Sequence, residues 1–235
     1  MKTNLPSKFT SIALLSAAMI FTANSTFAAG TLKKPHTRTR TGTYQTSKGN
    51  SGTYSRTTTR EKGQTERSTS ATNQDGKTAT HDSTRTWDKT SGTGTVSSSS
   101  TSFDGKTTSR EGTITKTGDG TFESQGTLTG PKGKTSTYDK TTTKTDNGRS
   151  STGTITGPNG KQSTVTSTTT HPNPGETERT MTVNTPSGKS LERVIDTKLN
   201  GDGTGTRTIE LTKPDGTTET RTVTFTVDPK PTPAP

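Results

Sequence analysis

The chain has no cysteine among its 235 residues. That excludes disulfides, thiolate metal sites and a lipid-modified N-terminal cysteine. Apolar residues are also scarce, at 18%, and aromatics make up only 4%. A thick hydrophobic core is therefore excluded, and the composition approaches that of disordered chains. Catalytic patterns are missing too. The histidines His36, His81 and His171 share no spacing. No serine sits in a G-x-S-x-G elbow, and no acid–base pair or ligand cluster stands out. The expectation is a non-enzymatic protein without a cofactor.

Threonine is what the chain has in abundance. It is β-branched, stiff at χ1 and favoured on a pleated surface. Typical disordered segments are depleted in such residues. A Thr-rich chain punctuated by glycine can form strand ladders while burying little.

Residues 1–28 read as a signal peptide. Lys2 and Lys8 give a basic start, and "FTSIALLSAAMIFT" is apolar but too short to span a bilayer. Small residues Thr26 and Ala28 then set a cleavage site. The expectation is export to the periplasm or the extracellular space, with no transmembrane segment after cleavage. Without Lys2 and Lys8 the net charge falls from +11 to +9. Such an excess attracts polyanions.

The rest of the chain is periodic. Glycines recur at 49, 76, 105, 133, 160, 188 and 216, at intervals of 27, 29, 28, 27, 28 and 28. A second set of turn signals lies near each midpoint, as in "EKG" at 61–63, "DNG" at 146–148 and "GDG" at 201–203. A period of this length marks an internal repeat. Between turns lie segments with T-x-T alternation.

Turn chemistry predicts the register. In P-x-G, proline pre-sets φ for a type I turn and glycine takes the left-handed position of a three-residue hairpin loop. With Pro214, Asp215 and Gly216 as the loop, Lys213 faces Thr217, and Leu211 and Val223 share a face. The same rule sets Val183 opposite Leu191 and aligns Ile155 with Val165. Asn147-Gly148 reads as a two-residue loop that carries the apolar face from Tyr138 to Ile155. Three-residue loops at 118–120 and 201–203 keep Ile114 with Phe122 and Ile195 with Ile209.

The predicted fold is all-β: tandem hairpin repeats of about 28 residues in an antiparallel meander, as an open sheet, barrel-like or two-layered. A solenoid is disfavoured by the tight turns. Residues 29–95 hold few large apolar groups and are expected to be a basic, weakly ordered Thr/Ser-rich region. Residues 96–228 form the repeat domain, and 229–235 a Pro-rich tail.

Several features invite a function. Lys33, Lys34, Arg38 and Arg40 in "LKKPHTRTR" form a basic arm suited to polyanions. Gly118-Asp119-Gly120 and Gly201-Asp202-Gly203 offer one carboxylate each, too few oxygens for calcium. Trp87 stands alone, as a sugar platform or as core. The T-x-T words resemble the ranks of insect ice-binding solenoids. "TYDK" and "FDGK" resemble words of the YD-type repeats of bacterial shell proteins, but their spacing differs and nothing is carried over. The expected function is a secreted or periplasmic structural, adhesive or surface-associated repeat protein. A polyanion-binding module and an ice-binding protein are the alternatives. Expected partners are envelope or extracellular polyanions, and further copies joined through edge strands.

Overall fold

The computed structural model describes residues 35–227. The first hairpins are β1 (His36–Thr46) with β2 (Ser51–Glu61), and β3 (Gln64–Asn73) with β4 (Thr78–Thr86). Next come β5 (Thr93–Thr101), β6 (Thr107–Gly118), β7 (Thr121–Thr129) and β8 (Thr135–Thr145). β9 (Gly148–Thr156), β10 (Gln162–Thr170), β11 (Glu176–Asn184) and β12 (Ser190–Leu199) follow. β13 (Thr204–Thr212) and β14 (Thr218–Val227) complete the barrel. Each strand pairs antiparallel with the next, and β1 pairs with β14, closing the meander.

The predicted registers are present. Lys213 N donates to Thr217 O at 2.8 Å, and Gly216 closes the turn with φ of 81°. Val183 pairs with Leu191, Ile195 with Ile209, and Tyr138 with Ile155. Two loops differ in detail. Gly148 pairs with Thr145, so Asp146 and Asn147 form the turn in place of Asn147-Gly148. A Cβ at Gly148 would lie 1.9 Å from Thr169 O, so this glycine is needed inside the strand. At 118–120, Gly118 pairs with Thr121 and a bulge lies between Lys116 and Gly118, after which the expected register resumes.

Closure revises two expectations. The sequence predicts self-association through edge strands, but both ends of the meander are paired to each other. It also predicts weak order across 29–95, yet residues from His36 onward form β1 to β4 and the start of β5. Arginine explains the second difference, because its aliphatic stem covers apolar surface while its head stays polar. Residues 1–34 and 228–235, with the signal peptide and the Pro-rich tail, lie outside the described residues.

The two faces of the sheet are chemically opposite. Inward positions carry the core: Tyr44, Val96, Ile114, Leu128, Tyr138, Val165, Met181, Val183, Leu191, Val223 and Phe225 are buried. Outward positions are mainly Thr and Ser with scattered charges. Val194 is the one large apolar side chain among the described outward strand positions. Outward threonines bond across strands, as in Thr43–Thr224 at 3.2 Å and Thr37–Thr59 at 3.2 Å.

Inward glycines let this wall bend. A Cβ at Gly126 would sit 2.0 Å from Glu111 O, and one at Gly205 would sit 2.6 Å from Phe225 Cζ. Kinks of this kind supply the curvature that a closed barrel requires.

A cationic lumen as the candidate functional site

Side chains alternate along a strand, so every residue two positions from a core residue also points inward. In this chain many of those residues are arginine. Arg193 lies between Leu191 and Ile195, Arg207 between Gly205 and Ile209, and Arg110 between Thr108 and Gly112. Arg40, Arg56, Arg67, Arg85, Arg149, Arg179 and Arg221 share that face, as does Lys140. Most sit towards the middle of their strands, while Arg85 and Arg149 lie one residue from a strand end, and together they give the lumen a belt of cations. Among the described strand residues the inward carboxylate is Glu219. It lies near the 213–217 loop and is paired with Lys213 and Lys48.

Hydroxyls and rings hold this belt in place. Arg207 Nε donates to Thr197 Oγ1 at 3.0 Å, and Arg56 Nε to Thr69 Oγ1 at 3.2 Å. Arg110 Nη2 donates to buried Ser124 Oγ at 3.3 Å, and Arg179 Nε to Ser167 Oγ at 3.4 Å. Arg110 lies 4.4 Å from the Tyr138 ring centroid and Arg40 5.0 Å from that of Phe225. Arg56 over Tyr54 and Arg221 over Tyr44 repeat the arrangement at 5.7 and 5.8 Å. Such stacking stabilises a cation whose water has been removed.

The electrostatic consequence is a depressed basicity at several of these cations. Burial, reinforced by Arg38, Arg207 and Arg56, lowers the Arg40 pKa to about 10. Burial with Arg110 and other neighbours lowers Arg85 to about 9, and burial with Arg149 and Arg193 does the same to Arg179. Lys140 is pushed well below its ordinary value, first by burial and then by Arg110, Arg85, Arg179 and Arg149. The arginines stay charged at neutral pH, so the lumen holds concentrated positive charge.

The residues singled out from sequence fare unevenly. Arg38 and Arg40 lie on β1 facing the lumen, with Arg40 in the belt, and not on a free arm. Lys33 and Lys34 fall outside the described residues. Asp202 accepts from Thr204 N at 2.9 Å and Thr204 Oγ1 at 2.7 Å, an ordinary turn bond. Trp87 packs edge-on against Phe122, with ring centroids 5.7 Å apart. His81 lies on β4. It points inward with Nδ1 2.6 Å from Ser100 Oγ, and burial beside Arg56 and Arg67 lowers its pKa. Among the described residues no group of His, Asp and Glu could hold a metal ion. The sequence did contain the signal for the belt: these cations share the parity of the apolar residues.

No family model matches the chain, and no curated protein matches it. Solved structures do. A mutant of the Rh. blastica porin matches with a TM-score of 0.51 at 9% identity, over 83% of this chain and 99% of that one. A structure described as "Asymmetric conductivity of engineered proteins" matches with a TM-score of 0.50 at 9% identity and the same coverage. The barrel is porin-like in fold. This finding overturns the expected function, a structural or adhesive repeat protein with polyanion binding or ice binding as alternatives. The sheet is closed into a barrel, and its apolar face is turned to the interior instead of being presented as an extended surface.

Proposed function

We propose that this protein is a non-enzymatic barrel that encloses small anions in its cationic lumen. One observation carries the reading: the described strands turn the arginine belt and Lys140 inward while turning in Glu219 as their carboxylate. Each ion taken out of water costs several kcal/mol unless it is compensated. Hydroxyls and aromatic rings offset part of this, and an enclosed anion offsets more through charge-assisted hydrogen bonds. The outward face argues for an aqueous setting of the barrel wall. A strand wall that faces lipid shows an apolar band with aromatic girdles, whereas this one shows threonine and serine. The likeness to porins therefore bears on the barrel and not on what surrounds it. Export through residues 1–28 belongs to the same reading and puts the barrel in the cell envelope or beyond it.

The test is calorimetric titration of sulfate and inorganic phosphate into the mature chain, in a buffer whose counter-ion is a bulky sulfonate. Saturable heat is expected, together with a higher unfolding temperature. At a hundredfold excess over Kd, binding adds about 2.7 kcal/mol of stability. Absence of both heat and stabilisation, with the barrel folded, would refute the proposal.

A further inference from the structure

The lumenal cations are not evenly placed about the site where the barrel closes. Arg40 on β1, Arg56 on β2 and Arg67 on β3 come from the start of the chain. Arg193 on β12, Arg207 on β13 and Arg221 on β14 come from its end. The two groups meet where β1 pairs with β14, at registers such as Tyr44↔Val223 and Arg40↔Val227. Arg40 and Arg56 are direct cross-strand partners. Arg207 is the partner of Val223 on the other side of the closing strand.

The groups are also close enough to act on one another across the closure. Arg207 and Arg56 lower the basicity of Arg40, and Arg221, Arg207 and Arg56 lower that of Arg193, in each case after burial. Three guanidinium atoms here, Arg67 Nε, Arg193 Nη1 and Arg221 Nε, are buried without a hydrogen-bond partner, as is the Tyr54 hydroxyl beside them. A buried donor left unsatisfied costs about 1–3 kcal/mol, and such atoms are rare in native structures. No carboxylate among the described residues is paired with any of these guanidiniums.

We infer that the guanidinium cluster straddling the β1–β14 closure is a site for a compact oxoanion, phosphate or sulfate, which fastens the first strands of the barrel to the last. The inference rests on the anion-enclosing reading and narrows it to one wall. Guanidinium groups match oxoanion geometry in paired fashion, and planar forks converging from several strands suit a tetrahedral anion with four acceptor oxygens. The anion supplies acceptors for the orphan donors. It also cancels the repulsion between the two halves of the cluster, which otherwise opposes closure. The β1–β14 pairing is the most non-local in the barrel and carries a large loop-closure cost, so a ligand that bridges these strands acts on that pairing.

Hydrogen exchange on the mature protein, with and without inorganic phosphate, sulfate or glycerol phosphate, tests this directly. Added phosphate or sulfate is expected to slow exchange in β1, β2, β13 and β14 by on the order of tenfold or more, leaving β6 to β9 on the opposite wall little changed. Protection by glycerol phosphate as well would extend the site to phosphate monoesters, and its absence would confine it to the free anions. Arg193→Gln and Arg207→Gln should each weaken phosphate binding by about tenfold or more, while Lys161→Gln in an exposed loop should not. Saturable phosphate binding with uniform protection, or with both arginine variants binding as the parent does, would overturn the seam site and leave the enclosed-anion reading standing. No binding of either anion would overturn both.

Discussion

Arg40 and Arg56 face each other across β1 and β2, both inside the barrel. Like charges directly opposite on a sheet destabilise it, and here each is stacked on a neighbouring ring, Phe225 and Tyr54. A pair arranged in this way costs stability, which on the proposed reading an enclosed anion offsets. Replacing Arg56 by Met should therefore leave the barrel as stable or more stable in sulfonate buffer, within about 1 kcal/mol. The same change should remove most of the stabilisation by added sulfate. Denaturant unfolding in the two buffers measures both effects. An equal loss of stability in each would show that Arg56 serves packing alone.

Lys140 gives the pH dependence. It is 5% exposed on β8, and Arg110, Arg85, Arg179 and Arg149 face it. Its folded-state pKa lies below the ordinary 10.5. The unfolded chain therefore binds more protons than the folded one between those two values, and stability must rise with pH there. The lowered basicity of Arg85, Arg179 and Arg40 adds the same sign at higher pH. Thermal unfolding without oxoanions should move upward from neutral pH towards about pH 10. Lys140→Met should raise stability at neutral pH by about 1 kcal/mol or more and flatten that rise. A rise of the same slope in the variant would place the titration elsewhere.

Curvature rests on inward glycines. At Gly126, opposite Gly112, a methyl group would meet Glu111 O and Gly112 Cα at 2.0 and 2.6 Å. Both are backbone atoms and cannot swing away. Gly126→Ala should cost about 1–3 kcal/mol. Gly201→Ala, at a loop glycine with open space about it, should change stability by less than about 0.5 kcal/mol. Chemical denaturation compares the two.

Much of this architecture was legible in the sequence because hairpin loops are local. Pro214-Asp215-Gly216 fixes the β13–β14 register within a few residues, and Gly201–Gly203 fixes Ile195 against Ile209. Closure was not legible, because Tyr44 and Val223 are joined by no turn and only the barrel's geometry brings them together. The slip at Asp146-Asn147 follows from contacts to β10 that a turn rule does not see. The order of β1 to β4 is hidden because Arg56, Arg67 and Arg85 occupy inward positions where a reader looks for leucine. The site itself is hidden for the same reason. A linear reading finds a basic arm from Lys33 to Arg40, while the charge is gathered by parity from strands far apart in sequence.

The direction in which the two faces point can be read from the single-cysteine variants Val223→Cys and Thr224→Cys, since the native chain has no cysteine. Val223 is 3% exposed and Thr224 points outward on the same strand. Reaction of the folded protein with a bulky maleimide should be fast at position 224 and slower at 223 by on the order of a hundredfold. Equal rates, or faster labelling at 223, would mean that the lumen is not where the arginines and the core lie.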